Sequence, residues 1–229
     1  MINQSQIIEF LGFKGMDFIH FVDITQLPEE QTQGYCSAIL FGKALTKPYL
    51  QKVASTKDYV AQMIRRNEID TDEFHNTEIT TDKIADELSI FLADRNTNAF
   101  SQSEANIEQS GLYNTNEHRT PLPHKTIALL AGMGWIGKND LLITPHYGSA
   151  ISMCSVLTDT PLDTTNKTSP QPTCGTCSIC QDNCKTGAIK GHTWTKLSNR
   201  DMLINVHQCK PCLQCMVTCP HTVKYFNKK

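Results

Sequence analysis

Apolar positions change their spacing several times along the chain, and each change marks an element. Ile7, Ile8 and Leu11 recur at helical spacing and predict a helix over residues 3–11, with Gly12 as its C-terminal cap. Met16 to Ile24 is apolar and unbroken, which predicts a strand. Beyond a polar loop at Pro28–Gly34, Cys36–Gly42 is short and nearly all apolar, the pattern of a strand covered on both faces. Cys36 reads as a small buried hydrophobe within it. Residues 48–95 return to helical spacing. Tyr59, Val60, Met63 and Ile64 mark one face, and Ile84, Leu88, Phe91 and Leu92 a cleaner one with Thr81 or Asp82 as N-cap. The polar stretch 66–80 reads as the connection between these helices.

Residues 96–120, rich in Asn, Gln, Ser and Glu, predict a long surface loop with a short strand at Ala99–Ser101. Thr126–Ala131 is helical again. Leu141–Thr144 and Ser149–Thr158 predict a β-hairpin around the turn Pro145–Gly148. Asp159–Thr173 carries three prolines and reads as a linker. It divides the chain into an α/β (α+β) core domain, 1–160, and a smaller module, 161–229.

The module carries the clearest chemistry. Cys174, Cys177, Cys180 and Cys184 form a C-x2-C-x2-C-x3-C run, and Cys209, Cys212, Cys215 and Cys219 form a second, ending in Pro220. This is the bacterial ferredoxin ligand pattern written twice, in which three cysteines of a run hold one cluster and the fourth ligates the other. It assigns Cys174, Cys177, Cys180 and Cys219 to one [4Fe–4S] cluster and Cys209, Cys212, Cys215 and Cys184 to a second. Structural zinc uses paired C-x2-C knuckles instead of such triplets. Disulfides do not suit a chain with no secretory signal. Lys185 replaces the proline that usually follows the first run, without touching a ligand.

Composition narrows the classes. Of 229 residues, 39% are hydrophobic, enough for a core, yet the longest apolar run, Ile127–Ile136, falls far short of a bilayer span. MINQSQIIEF has neither a basic n-region nor an apolar h-region, so no signal peptide and a cytoplasmic location are expected. A net charge of −2 supplies no global field to recruit nucleic acid.

Gly132, Gly134 and Gly137 spell G-x-G-x-x-G, and Gly132–Asn139 nearly spells a P-loop. Both phosphate motifs need a strand before and a helix after. Here the order is reversed, and Asn139 lacks the hydroxyl that holds magnesium, so both readings are set aside.

GMGWIGKNDLLITPHYGSA, then SVLTDTPL, then the first cysteine run with Thr186–Ile189 resemble epoxyqueuosine reductase and, more distantly, the reductive dehalogenases. The resemblance implies a nitroreductase-like core that holds a corrinoid, followed by a small ferredoxin-like double-cluster module. In such enzymes the clusters feed electrons to cobalt, and the protein positions the cofactor. It also implies a corrinoid pocket walled by Gly134, Trp135, Gly137, Lys138 and Asn139 together with the strand Ser149–Thr158. Gly132, Gly134 and Gly137 would let backbone approach a flat ligand.

Three departures limit the carry-over. Where that family places a proton-donating Asp and a Glu around a Pro-Val-Leu-Glu-like run, this chain has His118 and His124; His118 is the candidate catalytic residue. The helical-repeat extension that holds tRNA is not expected here. The second cysteine run is more compact than the family's.

Three functions follow from these readings. The first is an iron–sulfur oxidoreductase passing electrons to a core cofactor, with a small-molecule substrate other than epoxyqueuosine in tRNA. The second is an electron-transfer protein or reductive activator of a partner's cofactor. The third is a cluster-bearing structural or sensing protein. A redox partner protein is expected in either of the first two. Tyr35, His146, Tyr147 and Cys154 complete the polar candidates for the core pocket, and His207 and His221 flank the second run as packing residues.

Overall fold

Asn3 starts the first helix by a reciprocal cap: Gln6 N donates to Asn3 Oδ1 and Asn3 N donates to Gln6 Oε1, each at 3.0 Å. The computed structural model describes residues 2–164 and 166–228. In chain order it contains helix α1 (Gln4–Phe13), strand β1 (Phe18–Asp23), helix α2 (Glu29–Thr32) and strand β2 (Ser37–Ala44). Helices α3 (Lys47–Ser55), α4 (Tyr59–Arg65) and α5 (Glu73–Ala93) follow, then strand β3 (Ala99–Ser101) and helices α6 (Glu104–Gln109) and α7 (His124–Leu130). Strands β4 (Trp135–Ile136), β5 (Leu142–Ile143) and β6 (Ile151–Thr158) precede four short helices, α8 (Ile179–Asp182), α9 (Arg200–Leu203), α10 (Gln214–Val217) and α11 (Pro220–Asn227).

These elements sort into two units, each woven from three stretches of chain. The first comprises Met1–Lys43, Thr77–Gly132 and Ser152–Thr168, and the second Ala44–Asn76, Met133–Ile151 and Ser169–Lys229.

The first unit is built on a four-stranded sheet in the order β1-β2-β6-β3. Strands β1 and β2 are antiparallel, with Phe18 opposite Gly42, and β3 runs antiparallel to β6, with Ala99 opposite Thr158. The interior strand β2 is the near-continuous apolar run of the sequence, and β6 is buried at every position except Met153 although it carries Ser152, Ser155 and Thr158. Ile7 and Leu11 of α1 and Ile84, Leu88 and Leu92 of α5 join Ile39, Phe41 and Val156 in one core, with Phe10 stacked on Phe91 at 4.8 Å. Burying each such side chain contributes about 1.5–3 kcal/mol. Gly42 is required by this packing, since a Cβ there would lie 2.3 Å from the Ser152 carbonyl oxygen.

The second unit has its own apolar core. Leu50 and Val53 of α3 and Tyr59 and Met63 of α4 pack with Met216 and Val217 of α10 and Phe226 of α11. Tyr49 donates its hydroxyl to the Asp72 carboxylate at 3.0 Å.

Several expectations are corrected. The polar stretch before Thr81 belongs to α5, which starts at Glu73; the Asp72 carboxylate caps it by accepting from His75 N at 3.0 Å. Thr81 lies within that helix and donates its hydroxyl to Glu78 O at 2.9 Å. Gly12 likewise sits within α1, whose cap is Lys14. Cys36 is exposed, one residue short of β2. The long loop contains α6, capped by Ser103. The expected hairpin has a different partner: β5 pairs with β4, Trp135 opposite Ile143, while β6 enters the large sheet. The part of the linker up to Thr168 belongs to the first unit and is tied down there, with Asn166 accepting from Asp23 N at 3.0 Å and Lys167 N donating to Leu130 O at 2.9 Å. Among the described residues no helix is long and apolar enough to cross a membrane.

A cysteine-lined candidate cluster site

Short turns place the thiols of the second unit. Cys177 N donates to Cys174 O at 2.8 Å, closing the first loop, and the single turn of α8 carries the chain through Cys180 toward Cys184. In the second run, Leu213 adopts a left-handed conformation, φ 63°, which turns the backbone into α10. Cys219 N-caps α11, with Pro220 at the first helical position, where its missing N–H costs nothing.

The result is a cavity of about 230 Å³ walled by Cys174, Cys177, Cys180 and Cys219. Three of these thiols come from the first run and the fourth from the end of the second. Gly137, Lys138, Asn139, Ile143, Thr173, Pro220 and His221 complete the lining. Among the described residues no three Cys, His, Asp or Glu side chains converge on a single metal ion.

The same grouping appears in the electrostatics. Burial, then the neighbouring Cys219, Cys174 and Cys177, push the Cys180 thiol up to about 11. Burial raises Cys219 against backbone N–H groups of His221 and Thr222, and Cys174 and Cys177 add to the rise. Cys209 is raised by burial and then by Cys184, Cys212 and Asp140; Cys215 is raised to about 12 by burial and then by Cys212, Cys209, Cys180 and Cys184. For Cys184 burial is the largest single effect and acts upward. Hydrogen bonds from the Thr186 hydroxyl and the backbone of Ile189, Ala188 and Thr186 outweigh it and hold the thiol below its ordinary value. Thiols crowded this way cannot all ionise without a compensating positive charge, which iron would supply. The donor set fits a cluster.

The segment expected to wall a corrinoid turns toward the cysteine loops. Lys138 Nζ donates to Cys177 O at 3.0 Å, and Asn139 Nδ2 donates to Cys215 O at 3.1 Å. Trp135 is buried against Ile143 and Cys219, and its ring meets His221 edge-on at 5.0 Å. The glycines face protein: a Cβ on Gly134 would lie 2.0 Å from Ile143 O, on Gly137 2.6 Å from Asn139 Oδ1, and on Gly132 2.6 Å from the Lys167 side chain. Gly148, beside the other expected wall, sits equally close to Thr222. Lys138 and Asn139 each spend a donor on a cysteine-loop carbonyl, and protein atoms close the Cα faces of Gly134 and Gly137, so this segment does not present an open wall to a corrinoid.

The remaining candidates are dispersed. His118 is exposed, in a left-handed turn between Asn114 and Arg119, and its Nδ1 shares a hydrogen bond with the Tyr113 hydroxyl at 2.8 Å. His124 lies at the start of α7, half-buried by surface but closely surrounded. Desolvation takes its imidazole down to about 4. The Ser155 hydroxyl donates to Gln102 Oε1 at 2.6 Å, which leaves His124 Nδ1 as the donor to Ser155 Oγ at 2.9 Å. Cys154 is fully buried in β6, where burial and then Asp82 push its thiol upward. Tyr35 belongs with these in the first unit, whereas His146 and Tyr147 stack edge-on at 4.4 Å in the second. Ile143, Thr173, Pro220 and His221 line the cavity and escaped sequence reasoning as site residues. Thr173 and His221 share a hydrogen bond at 3.2 Å, and their only sequence signal is that each flanks a cysteine run.

No family model matches the chain. Among curated proteins it is similar to epoxyqueuosine reductase of Listeria monocytogenes, 33% identical over 109 residues, covering 42% of this chain and 28% of that protein. It is also similar to epoxyqueuosine reductase of Gloeobacter violaceus, 43% identical over 70 residues, covering 30% and 21%. The match thus spans less than a third of either relative.

Among solved structures, epoxyqueuosine reductase with a tRNA-Tyr epoxyqueuosine-modified stem loop gives a TM-score of 0.54 at 17% identity, over 96% of this chain and 65% of that one. A catabolic reductive dehalogenase in complex with 3-bromo-4-hydroxybenzoic acid gives 0.56 at 17% identity, over 76% and 24%. At these identities the structural likeness speaks for the fold. Over the matched stretch the chain is similar in sequence to epoxyqueuosine reductases, and its fold is similar to those of epoxyqueuosine reductase and a reductive dehalogenase.

Proposed function

We propose that this protein is an iron–sulfur oxidoreductase whose two cysteine runs hold two [4Fe–4S] clusters by crossed ligation in a ferredoxin-like module. One observation carries the reading: Cys219, from the end of the second run, shares a cavity wall with Cys174, Cys177 and Cys180 of the first. Bound clusters would supply one-electron transfer. The chain's own part is to hold the thiols and shield them. Lys138 and Asn139 fix the carbonyls of Cys177 and Cys215, and Ile143 and His221 line the cavity with Trp135 packed behind Ile143 and Cys219.

In this reading the first unit is a nitroreductase-like core serving an acceptor cofactor. A corrinoid is the candidate, supported by likeness to a reductive dehalogenase whose structure suggests a mechanism for B12-dependent dehalogenation. The substrate is a small molecule other than epoxyqueuosine in tRNA, and a cytoplasmic redox protein supplies the electrons. The substrate reading rests on His124, a neutral imidazole tied to Ser155 where the related enzymes carry a carboxylate. The alternative, an electron-transfer protein or activator of a partner's cofactor, is favoured by one observation: the residues proposed to meet a corrinoid hold the cysteine loops instead.

Anaerobic reconstitution tests the cluster reading. About eight irons per chain are expected, from two four-iron clusters. Cys219→Ala should abolish the cluster shared with Cys174, Cys177 and Cys180 and leave about four irons. Stoichiometric zinc without visible charge-transfer absorption would sink the reading. Titration with cob(II)alamin then separates the two functions, since a base-on to base-off change in the EPR spectrum favours the oxidoreductase and its absence the electron-transfer protein.

A further inference from the structure

Trp135 carries a donor with nothing to donate to. The residue is 3% exposed, and its indole Nε1 is buried without a hydrogen-bond partner among the described residues. A buried indole N–H normally finds an acceptor, and leaving one unmade costs about 1–3 kcal/mol. The side chain is also held firmly. Trp135 pairs with Ile143 across β4 and β5, and Gly134 lies so close to Ile143 O that the strands cannot slide apart without losing that fit. Its neighbours are Cys219, against which it packs, and His221, which meets its ring edge-on. Both neighbours line the cavity shared with Cys174, Cys177 and Cys180.

We infer that the indole N–H of Trp135 donates to a sulfur of the cluster held by Cys174, Cys177, Cys180 and Cys219, and is a positioning residue that raises that cluster's reduction potential. The inference rests on the cluster reading above. The physical reason is charge. Reduction adds an electron to a cluster whose negative charge is spread over its sulfurs, and a hydrogen bond to sulfur stabilises the reduced form more than the oxidised one. An indole N–H does not titrate near neutrality, so its effect is the same at every working pH. The second cluster, held by Cys209, Cys212, Cys215 and Cys184, has no such donor assigned and serves as an internal reference.

The test is potentiometric EPR on anaerobically reconstituted wild-type and Trp135→Phe protein, with iron counted in both. The variant keeps a ring in place and removes the N–H. It is expected to retain both clusters and to show one potential lowered, by about tenfold in the one-electron equilibrium or ~59 mV, with the other unchanged and the difference independent of pH. A fully loaded variant with both potentials unchanged overturns the inference and leaves the cluster reading standing. A variant that fails to load is replaced by wild-type protein carrying 15N-indole. There, a 15N hyperfine coupling to one reduced cluster in pulsed ENDOR supports the hydrogen bond, and no coupling overturns it. Wild-type protein that takes up no iron overturns both readings together.

Discussion

The two units are held together by different means. In the first, a four-stranded sheet and two helices bury Ile7, Leu11, Ile39, Leu88 and Leu92 completely, and the elements reach the length of the 21-residue α5. In the second, α3, α4 and α11 form an apolar floor, but the chain that carries the cysteines is turns and four-residue helices. Of its eight ligand candidates only Cys219 is buried. Hydrophobic burial is enough to order the first unit. The cysteine loops have too little of it, and a one-turn helix has no stability of its own. On the proposed cluster reading, binding at the sulfurs supplies the missing order, because metal-binding free energy becomes folding free energy where a site cannot preform.

Removing iron is the sharpest way to test this contrast. Chelation under reducing, anaerobic conditions should abolish amide exchange protection across residues 174–219 and leave β2 and β6 protected. Loss spread evenly over both units would break the comparison.

The converse experiment removes apolar bulk. Phe41→Ala empties a fully buried position in the first core and should destabilise that unit by about 3–5 kcal/mol, read by exchange protection of β6, with iron content unchanged. Iron falling in step with stability would mean that the two units share one cooperative transition.

A smaller effect sharpens the contrast through pH. Folding lowers His124 from an ordinary 6.5 to about 4, so as pH falls the unfolded chain takes the proton first. The stabilising contribution of the neutral ring is complete above pH 6.5 and is lost as pH falls toward 4, below which both states are protonated. The loss amounts to roughly 3 kcal/mol. His20, depressed by burial and then by Lys167, acts in the same direction, and Asp82, raised by burial, acts in the opposite one. His124→Gln should therefore flatten, without abolishing, the acid slope of β6 exchange protection. An unchanged slope in that variant would assign the acid sensitivity elsewhere.

The cysteine chemistry was legible because ligand spacing is local: a C-x2-C-x2-C loop states its purpose within a dozen residues. Strand β2 was legible for a similar reason, since an interior strand that is apolar on both faces stands out locally. The start of α5 was hidden because its first two turns bury no apolar stripe, so nothing in 73–80 repeats at helical spacing. The partner of Leu142–Ile143 was hidden because pairing is chosen in space; Trp135–Ile136 is two residues long and has no periodicity to read. Gly134 and Gly137 show a different limit. A missing Cβ reads the same in sequence whether a ligand or a neighbouring carbonyl fills the space, and here Ile143 and Asn139 fill it. Cys36 and Cys154 differ only in surroundings, one exposed at a strand's edge and the other sealed in β6.

The interleaving of the chain also sets a timetable for synthesis. The cavity draws on Gly137–Asn139, Cys174–Cys180 and Cys219, so its wall stays open until residue 219 has left the ribosome. Helices α3 and α4 are made long before α10 and α11, the partners that cover them, and must wait exposed through the translation of about 150 residues. At ~5–20 residues per second that wait lasts on the order of ten to thirty seconds. During it, the four thiols of the first run and an uncovered apolar surface are presented to the cell together, so on the proposed cluster reading prompt delivery of iron and sulfide is a kinetic requirement for this chain.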